Sequence, residues 1–302
     1  MSIKVQNISK SFKKLQAVDD VSFHVNEGEL FGLIGPDGAG KTTIFRILTT
    51  LLLANEGSAT VSNYDVVKDY KAIRNSVGYM PGMFSLYQDL TVEENLKFFA
   101  TLFGTTIEEN YDLIKDIYIQ IEPFKTRRAG ALSGGMKQKL ALCCALIHAP
   151  KVLFLDEPTT GVDPVSRKEF WQMLKRLQQK GISILVSTPY MDEAALCDRI
   201  ALIQKGRILK IDAPATIISN YDKIIYDIKT KNMHQLILDL KNYPSQYSTY
   251  AFGEFIHYID TNAAFSPNDL QKYLVEKDHT EIEINKTDIT IEDVFMDLIA
   301  IK

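Results

Sequence analysis

Apolar residues along this chain follow two rhythms. Residues 30–34, 152–155 and 182–186 are continuous apolar runs bounded by turn residues, the pattern of short strands buried on both faces. Between them, Ile44, Phe45, Ile47, Leu48, Leu51 and Leu52 recur at helical spacing, as do Phe170, Trp171, Leu174 and Leu177. Strands alternating with amphipathic helices predict a parallel α/β sheet. The punctuation agrees. Asp163-Pro164 offers an N-cap acceptor followed by proline at the first helical position, and Gly181 stands where a left-handed C-terminal residue belongs. Thr91-Val92-Glu93-Glu94 reads as a capping box opening a helix with Phe98, Phe99, Leu102 and Phe103 on its apolar side and Gly104 after it.

The flanking segments alternate instead. Residues 5–9 and 21–25 have the period of half-exposed strands, and 200–211 reads as a hairpin turning at Lys205-Gly206; together they predict an antiparallel edge. Beyond Asp212-Ala213-Pro214, strand-like runs at 223–228, 255–259 and 281–284 alternate with helical stretches at 233–240 and 267–275. The expected organisation is a domain over 1–217, carrying a helical insertion at about 91–148, and a small accessory α+β domain over 218–302.

Composition refines this picture by exclusion. The chain has 302 residues, 46% hydrophobic and 24% charged, ordinary for a packed globular protein and unlike a disordered or disulfide-scaffold chain. A spanning helix needs roughly 20 consecutive apolar residues, and the longest candidate, 140–147, falls far short. The start, Met1-Ser2-Ile3-Lys4-Val5-Gln6-Asn7, has no hydrophobic signal core, so no secretion signal is expected. Cys143, Cys144 and Cys197 have neither framework nor metal-site spacing and read as small buried hydrophobes. A net charge of −4 weighs against nucleic acid as a partner. His234, His257 and His279 are spread without ligand spacing, which points to surface or packing roles.

Chemistry concentrates in two places. Gly35-Pro36-Asp37-Gly38-Ala39-Gly40-Lys41-Thr42-Thr43 follows the first buried run and opens the first helix, the context of a phosphate-binding P-loop. Its glycines let backbone N–H groups curl around phosphate oxygens, Lys41 reaches the β and γ phosphates, and the Thr42 hydroxyl ligates Mg²⁺. Asp37 either adds negative charge beside a polyphosphate or serves as an Asx-type turn residue. The second buried run ends in Asp156-Glu157, which parallel-sheet geometry places at the carboxyl edge beside that loop. Asp156 is expected to hold Mg²⁺ through water, and Glu157 to orient or deprotonate an attacking water.

Between these motifs lies Leu132-Ser133-Gly134-Gly135-Met136-Lys137-Gln138, followed by an apolar helix to His148 that Pro150 ends. With this element the chain resembles the ATP-binding cassette ATPases, whose signature LSGGQ stands between P-loop and acidic pair in the same order. The resemblance covers about residues 3–215. It implies a P-loop NTPase of α/β class, with parallel core sheet, antiparallel edge subdomain and helical insertion. It also implies that Phe12 stacks on adenine and that Asp163, in Thr160-Gly161-Val162-Asp163, belongs to the loop linking two ATP sites. In the family, ATP is sandwiched between the P-loop of one cassette and the signature of another. One P-loop therefore implies a second cassette as partner. The wording Tyr190-Met191-Asp192-Glu193-Ala194 and Cys197-Asp198-Arg199 looks most like subunits of bacterial drug-resistance-type exporters. These energise separate membrane permease subunits from the inner face of the cell membrane.

Three positions depart from the family: Asp37, where its P-loop usually has asparagine, and two beyond that loop. Where it has a glutamine contacting Mg²⁺ and water, this chain has Gly82; where it has a histidine contacting the γ-phosphate, this chain has Pro189. Proline supplies neither imidazole nor backbone donor. Hydrolysis at the chain's own P-loop is thus expected to be slow, with a heterodimer preferred over a homodimer because the signature remains able to complete a partner's site. The apolar loop from Met80 to Tyr87 lies where the family receives a coupling helix from the membrane subunit. Two alternatives stand beside the ATPase reading: a regulatory subunit that clamps ATP without turnover, and a soluble cassette protein outside transport.

Overall fold

The computed structural model describes residues 1–262 and 265–300, so residues 263–264 and 301–302 of the expected accessory domain lie outside the described residues. The chain divides into two units, Met1–Pro214 and Ala215–Lys302.

In the first unit, β1 (Ile3–Phe12) and β2 (Leu15–Val25) form an antiparallel pair, which β4 (Glu56–Val61) and β5 (Tyr64–Asp65) extend into a sheet of order β2-β1-β4-β5. The second sheet is built on the three apolar runs: β3 (Leu30–Ile34), β7 (Val152–Asp156) and β8 (Ser183–Thr188), in which every residue is buried. With β6 (Val77–Met80), β9 (Arg199–Gln204) and β10 (Arg207–Asp212) the order is β10-β9-β3-β8-β7-β6. All neighbours are parallel except β10 on β9. This corrects one expectation. The hairpin over 200–211 does not join the N-terminal strands; its first arm pairs in parallel with β3, so only β10 is an antiparallel edge.

Helix α1 (Lys41–Leu48) buries Ile44, Phe45, Ile47 and Leu48. It stops there, and Thr50 adopts φ 63°, which leaves Leu51 57% exposed instead of continuing the apolar stripe. After α2 (Tyr70–Ser76), the insertion contains α3 (Val92–Leu102), α4 (Tyr111–Tyr118) and α5 (Gly134–Leu146). The expected capping box is formed: Thr91 Oγ1 accepts from Glu94 N–H, and the Glu94 carboxylate accepts from Thr91 N–H at 2.7 Å. The apolar face of α3 is not the expected one. Val92, Asn95, Leu96 and Ala100 are buried, whereas Phe98 and Leu102 are 39% and 62% exposed. Asn95 explains the rotation: its amide donates to the carbonyls of Tyr87, Leu90 and Thr91 and accepts from Tyr87 N–H, so a polar residue sits at the centre of the packed face. α6 (Pro164–Gln179) starts as read, with Asp163 as N-cap accepting from Ser166 N–H and Pro164 first; Gly181 has φ +90°.

The second unit is an antiparallel sheet with helices on both faces. A short helix, α7 (Pro214–Ser219), straddles the division, and β11 (Ile225–Lys229) follows it. Then come α8 (Met233–Lys241), β12 (Gln246–Phe252), β13 (Phe255–Asp260), α9 (Pro267–Glu276), β14 (Glu283–Lys286) and α10 (Ile291–Ala300), with strand order β12-β13-β11-β14. Leu236, Leu240, Leu270 and Leu274 of α8 and α9 pack with Ile228, Ile256 and Tyr258. On the other face α10 brings Asp293 to His257 Nδ1 (2.5 Å) and the Tyr250 hydroxyl (2.8 Å). Burial pushes the Asp293 carboxyl up, but hydrogen bonds from His257, Thr290 and Tyr250 outweigh it and hold the group below the usual carboxylate range. Among the described residues no helix is long and apolar enough to cross a membrane.

Candidate functional site

The carboxyl ends of β3, β7 and β8 meet at one edge of the parallel sheet. β3 delivers Gly35-Pro36-Asp37-Gly38-Ala39-Gly40, which turns into α1 at Lys41. Two of these glycines are dictated by close approach. A Cβ on Gly35 would sit 2.2 Å from the Ile203 carbonyl oxygen, and one on Gly40 (φ +103°) 2.4 Å from that of Ala17. The loop is thereby clamped between β9 and the N-terminal sheet.

Lys41 is 3% exposed. Its Nζ donates to the carbonyls of Gly35 (2.7 Å) and Pro36 (3.0 Å) and lies 3.1 Å from Glu157 Oε1. A buried ammonium is thus held over the loop by carbonyl dipoles and one carboxylate, in the position where phosphate oxygens would replace them. Phe12, Gly38, Gly40, Lys41, Thr42, Thr43, Glu157 and Lys205 all line one cavity of about 380 Å³ at this edge. Phe12, at the tip of the β1–β2 hairpin, is 44% exposed, with the Lys10 ammonium 5.6 Å from its ring centroid. Asp37 is exposed, lies outside that lining and makes no hydrogen bond among the described residues, so the Asx turn is not formed.

Asp156 is 2% exposed. Its Oδ1 accepts from the Ser187 hydroxyl at 2.6 Å, and among the described residues no hydrogen bond reaches Oδ2 or the Thr42 hydroxyl. A free carboxylate oxygen and a hydroxyl are hard donors suited to Mg²⁺. Among the described residues no cluster of three His, Cys, Asp or Glu side chains is arranged to hold a metal, so a cation here would take its other ligands from phosphate and water. Burial, followed by the Asp156 charge, pushes the neighbouring Tyr79 up to about 12.

The residues Leu132 to Gln138 stand apart. Ser133 caps α5, and none of the seven lines the cavity that holds Lys41. Gly134 and Gly135 pack instead on the loop before α6 and on its first turn: a Cβ on Gly135 would meet Ser166 Oγ at 2.8 Å, and one on Gly134 the Gly161 carbonyl oxygen at 3.6 Å. Asp163 lies on that same loop. Gly82 brings its loop to Asp156, since an added Cβ would be 3.0 Å from the Asp156 carbonyl oxygen and 3.8 Å from Glu157 Cβ. Pro189 follows β8 and is half-buried.

Sequence reasoning missed the polar network behind the acidic pair. Ser187 is fully buried, and Glu193, 2% exposed, accepts from the hydroxyls of Thr159 (2.8 Å) and Thr188 (2.5 Å). Two hydroxyl residues closing an apolar strand beside the acidic pair were the available signal.

The chain is similar to known proteins over this region and beyond it. A family model described as ABC transporter matches residues 18–160. The probable multidrug ABC transporter ATP-binding protein YbhF of Escherichia coli K12 is 38% identical over 304 residues, which is 99% of this chain and 52% of that protein. The chain thus spans about half the length of that relative. Nod factor export ATP-binding protein I of Burkholderia thailandensis is 40% identical over 221 residues, 72% of this chain and 73% of that protein. Among solved structures, a dimeric ATP-binding cassette in a post-hydrolysis state, bound to ADP and Pi, matches with TM-score 0.63 and 25% identity over 70% of this chain and 98% of its own.

Proposed function

The chain belongs to the ATP-hydrolysing ATP-binding cassette family of ABC transporters, and on that premise we propose that it is an ATP-binding subunit of an exporter whose own ATP site is impaired. The observation that carries the reading is Lys41, buried in the P-loop and paired with Glu157 across a cavity that Phe12, Thr42 and Thr43 also line. ATP enters with its adenine against Phe12 and its phosphates in the loop from Gly35 to Thr43, taking over the ammonium from the carbonyls and Glu157. Thr42 directly and Asp156 through water would hold Mg²⁺, which would supply positive charge to offset that of the phosphates. Glu157 then orients the attacking water.

The impairment is local. Gly82 has no side chain to reach Glu157 or the metal, and Pro189 has no donor for the γ-phosphate. The signature residues, Leu132 to Gln138, together with Asp163, do not line the chain's own cavity and in this reading serve the site of a second cassette. A heterodimer with a fully equipped cassette fits this asymmetry best. Support for a membrane partner comes from the exposed apolar residues Met83 (84%), Tyr87, Phe98 and Leu102, and from relatives named for multidrug transport and Nod factor export. The permease subunits would seat the cassettes on the inner face of the cell membrane. Gly82 and Pro189 also favour a second reading, in which the chain clamps ATP and its partner performs all turnover.

The test is ATP turnover of the purified chain and of a Gly82→Gln/Pro189→His variant. Restoring both groups is expected to raise turnover by about 10²–10³-fold, the effect of regaining one transition-state donor of this kind. Fast turnover of the unaltered chain, abolished by Glu157→Gln, would overturn the impairment. Absence of ATP binding would overturn the whole reading.

A further inference from the structure

Resting on the reading that ATP binds here with Mg²⁺, we propose that Ser187 is a positioning residue for the carboxylate that holds the metal through water: it fixes Asp156 in the orientation that leaves one oxygen for the cation's bound water. The register of the sheet places it there. Asp156 and Ser187 are paired across parallel strands β7 and β8, so their side chains leave the sheet on the same side. Ser187 is 0% exposed. Its hydroxyl accepts from Glu157 N–H at 3.0 Å and donates to Asp156 Oδ1 at 2.6 Å.

A hydroxyl has a single proton. With one lone pair taken by the Glu157 amide, that proton is given to Asp156, and the carboxylate is held with Oδ1 committed and Oδ2 open. The same amide also donates to the Ser187 carbonyl at 3.1 Å, and Glu157 has φ 51°. A non-glycine residue in the left-handed region needs such fixation. One buried serine therefore ties down the side chain of the first acidic residue and the backbone of the second. Because the donor is neutral, Asp156 keeps its full charge for the metal. A lysine or arginine at 187 would orient the carboxylate equally well and compete with the cation.

The experiment separates positioning from packing. ATP affinity of the full chain is measured in EDTA and across a Mg²⁺ titration for the unaltered protein, Ser187→Ala, and the near-isosteric pair Ser187→Thr and Ser187→Val. Mg²⁺ affinity of the ATP-bound chain is expected to fall about 10-fold or more in the Ala and Val variants, the usual cost of removing a partner of a metal ligand. ATP affinity in EDTA should stay unchanged, and Ser187→Thr should retain the Mg²⁺ dependence that Ser187→Val loses. Ala and Val variants with unaltered Mg²⁺ dependence would overturn the proposal, as would equal losses with and without metal. An unaltered chain that binds ATP indifferently to Mg²⁺ overturns the metal site itself, and this inference with it.

Discussion

Two clusters of buried charge in this chain have nearly the same composition and opposite characters. At the P-loop, Lys41 and Asp156 are 3% and 2% exposed; in the second unit, His257 and Asp293 are 2% and 0% exposed. The Asp293 carboxylate is saturated: Oδ1 takes His257 Nδ1 and the Tyr250 hydroxyl, and Oδ2 takes the backbone N–H and hydroxyl of Thr290. Asp227 lies 2.9 Å from the remaining histidine nitrogen. In the first cluster, Asp156 keeps an oxygen without a hydrogen bond among the described residues, and Lys41 and Glu157 border a 380 Å³ cavity. Burying charge costs on the order of several kcal/mol per ion unless it is compensated, and the two clusters are compensated to different extents. A carboxylate with both oxygens hydrogen-bonded, as in Asp293, orders its own fold. One that keeps valences open toward a cavity is poised for a ligand.

Removing the histidine should break this comparison most forcefully. His257→Ala leaves Asp293 buried without its strongest partner and is expected to destabilise the second unit by about 3–5 kcal/mol. Trp171, the sole tryptophan, belongs to the first unit. Denaturation followed by circular dichroism should therefore gain an early transition that tryptophan fluorescence does not share, with ATP affinity unaltered. A single unshifted transition would show that this network is dispensable.

Lys41→Ala is the mirror experiment. Losing charge-assisted bonds worth about 1.5–3 kcal/mol should weaken ATP binding by roughly 10–100-fold, while the tryptophan-detected midpoint moves little, because the carbonyls of Gly35 and Pro36 regain water. If the first unit unfolds instead, the P-loop cluster is as structural as the other one and the contrast between them fails.

Legibility in the sequence follows the same division. The strands buried on both faces were readable because continuous apolar runs have no other use in a parallel sheet. The P-loop was readable because Gly35 and Gly40 record in sequence a close approach to Ile203 and Ala17 that is otherwise a tertiary fact. Polar residues that point inward were not readable. Asn95 turned α3 away from its expected face, and Asp293 and Asp297, buried on α10, disguise a helix that packs on a sheet. Strand β12, with Ser248 and Thr249 half-buried, offers no clean alternation. Ser187 fell one residue beyond the apolar run ending at Val186, and its partnership with Asp156 depends on strand register, which composition does not carry.

The smallest effect concerns the rim of the cavity, where exposure makes structure and function easiest to separate. Phe12 is 44% exposed on a hairpin whose next residue, Lys13, takes φ 54°, so Phe12→Ala should change stability by no more than about 0.5 kcal/mol. Stacking of a base on an aromatic ring is worth about 1–3 kcal/mol, and the exposed setting argues for the lower end, near a 10-fold loss of ATP affinity. That energy belongs to adenine and not to the phosphates. Inorganic tripolyphosphate should therefore bind Phe12→Ala and the unaltered chain equally, whereas Phe12→Trp should hold ATP at least as well as phenylalanine does. Equal losses for ATP and tripolyphosphate would mean that the ring acts by shaping the loop around Lys41, and the rim would then belong with the phosphate cluster and not with a separate base contact.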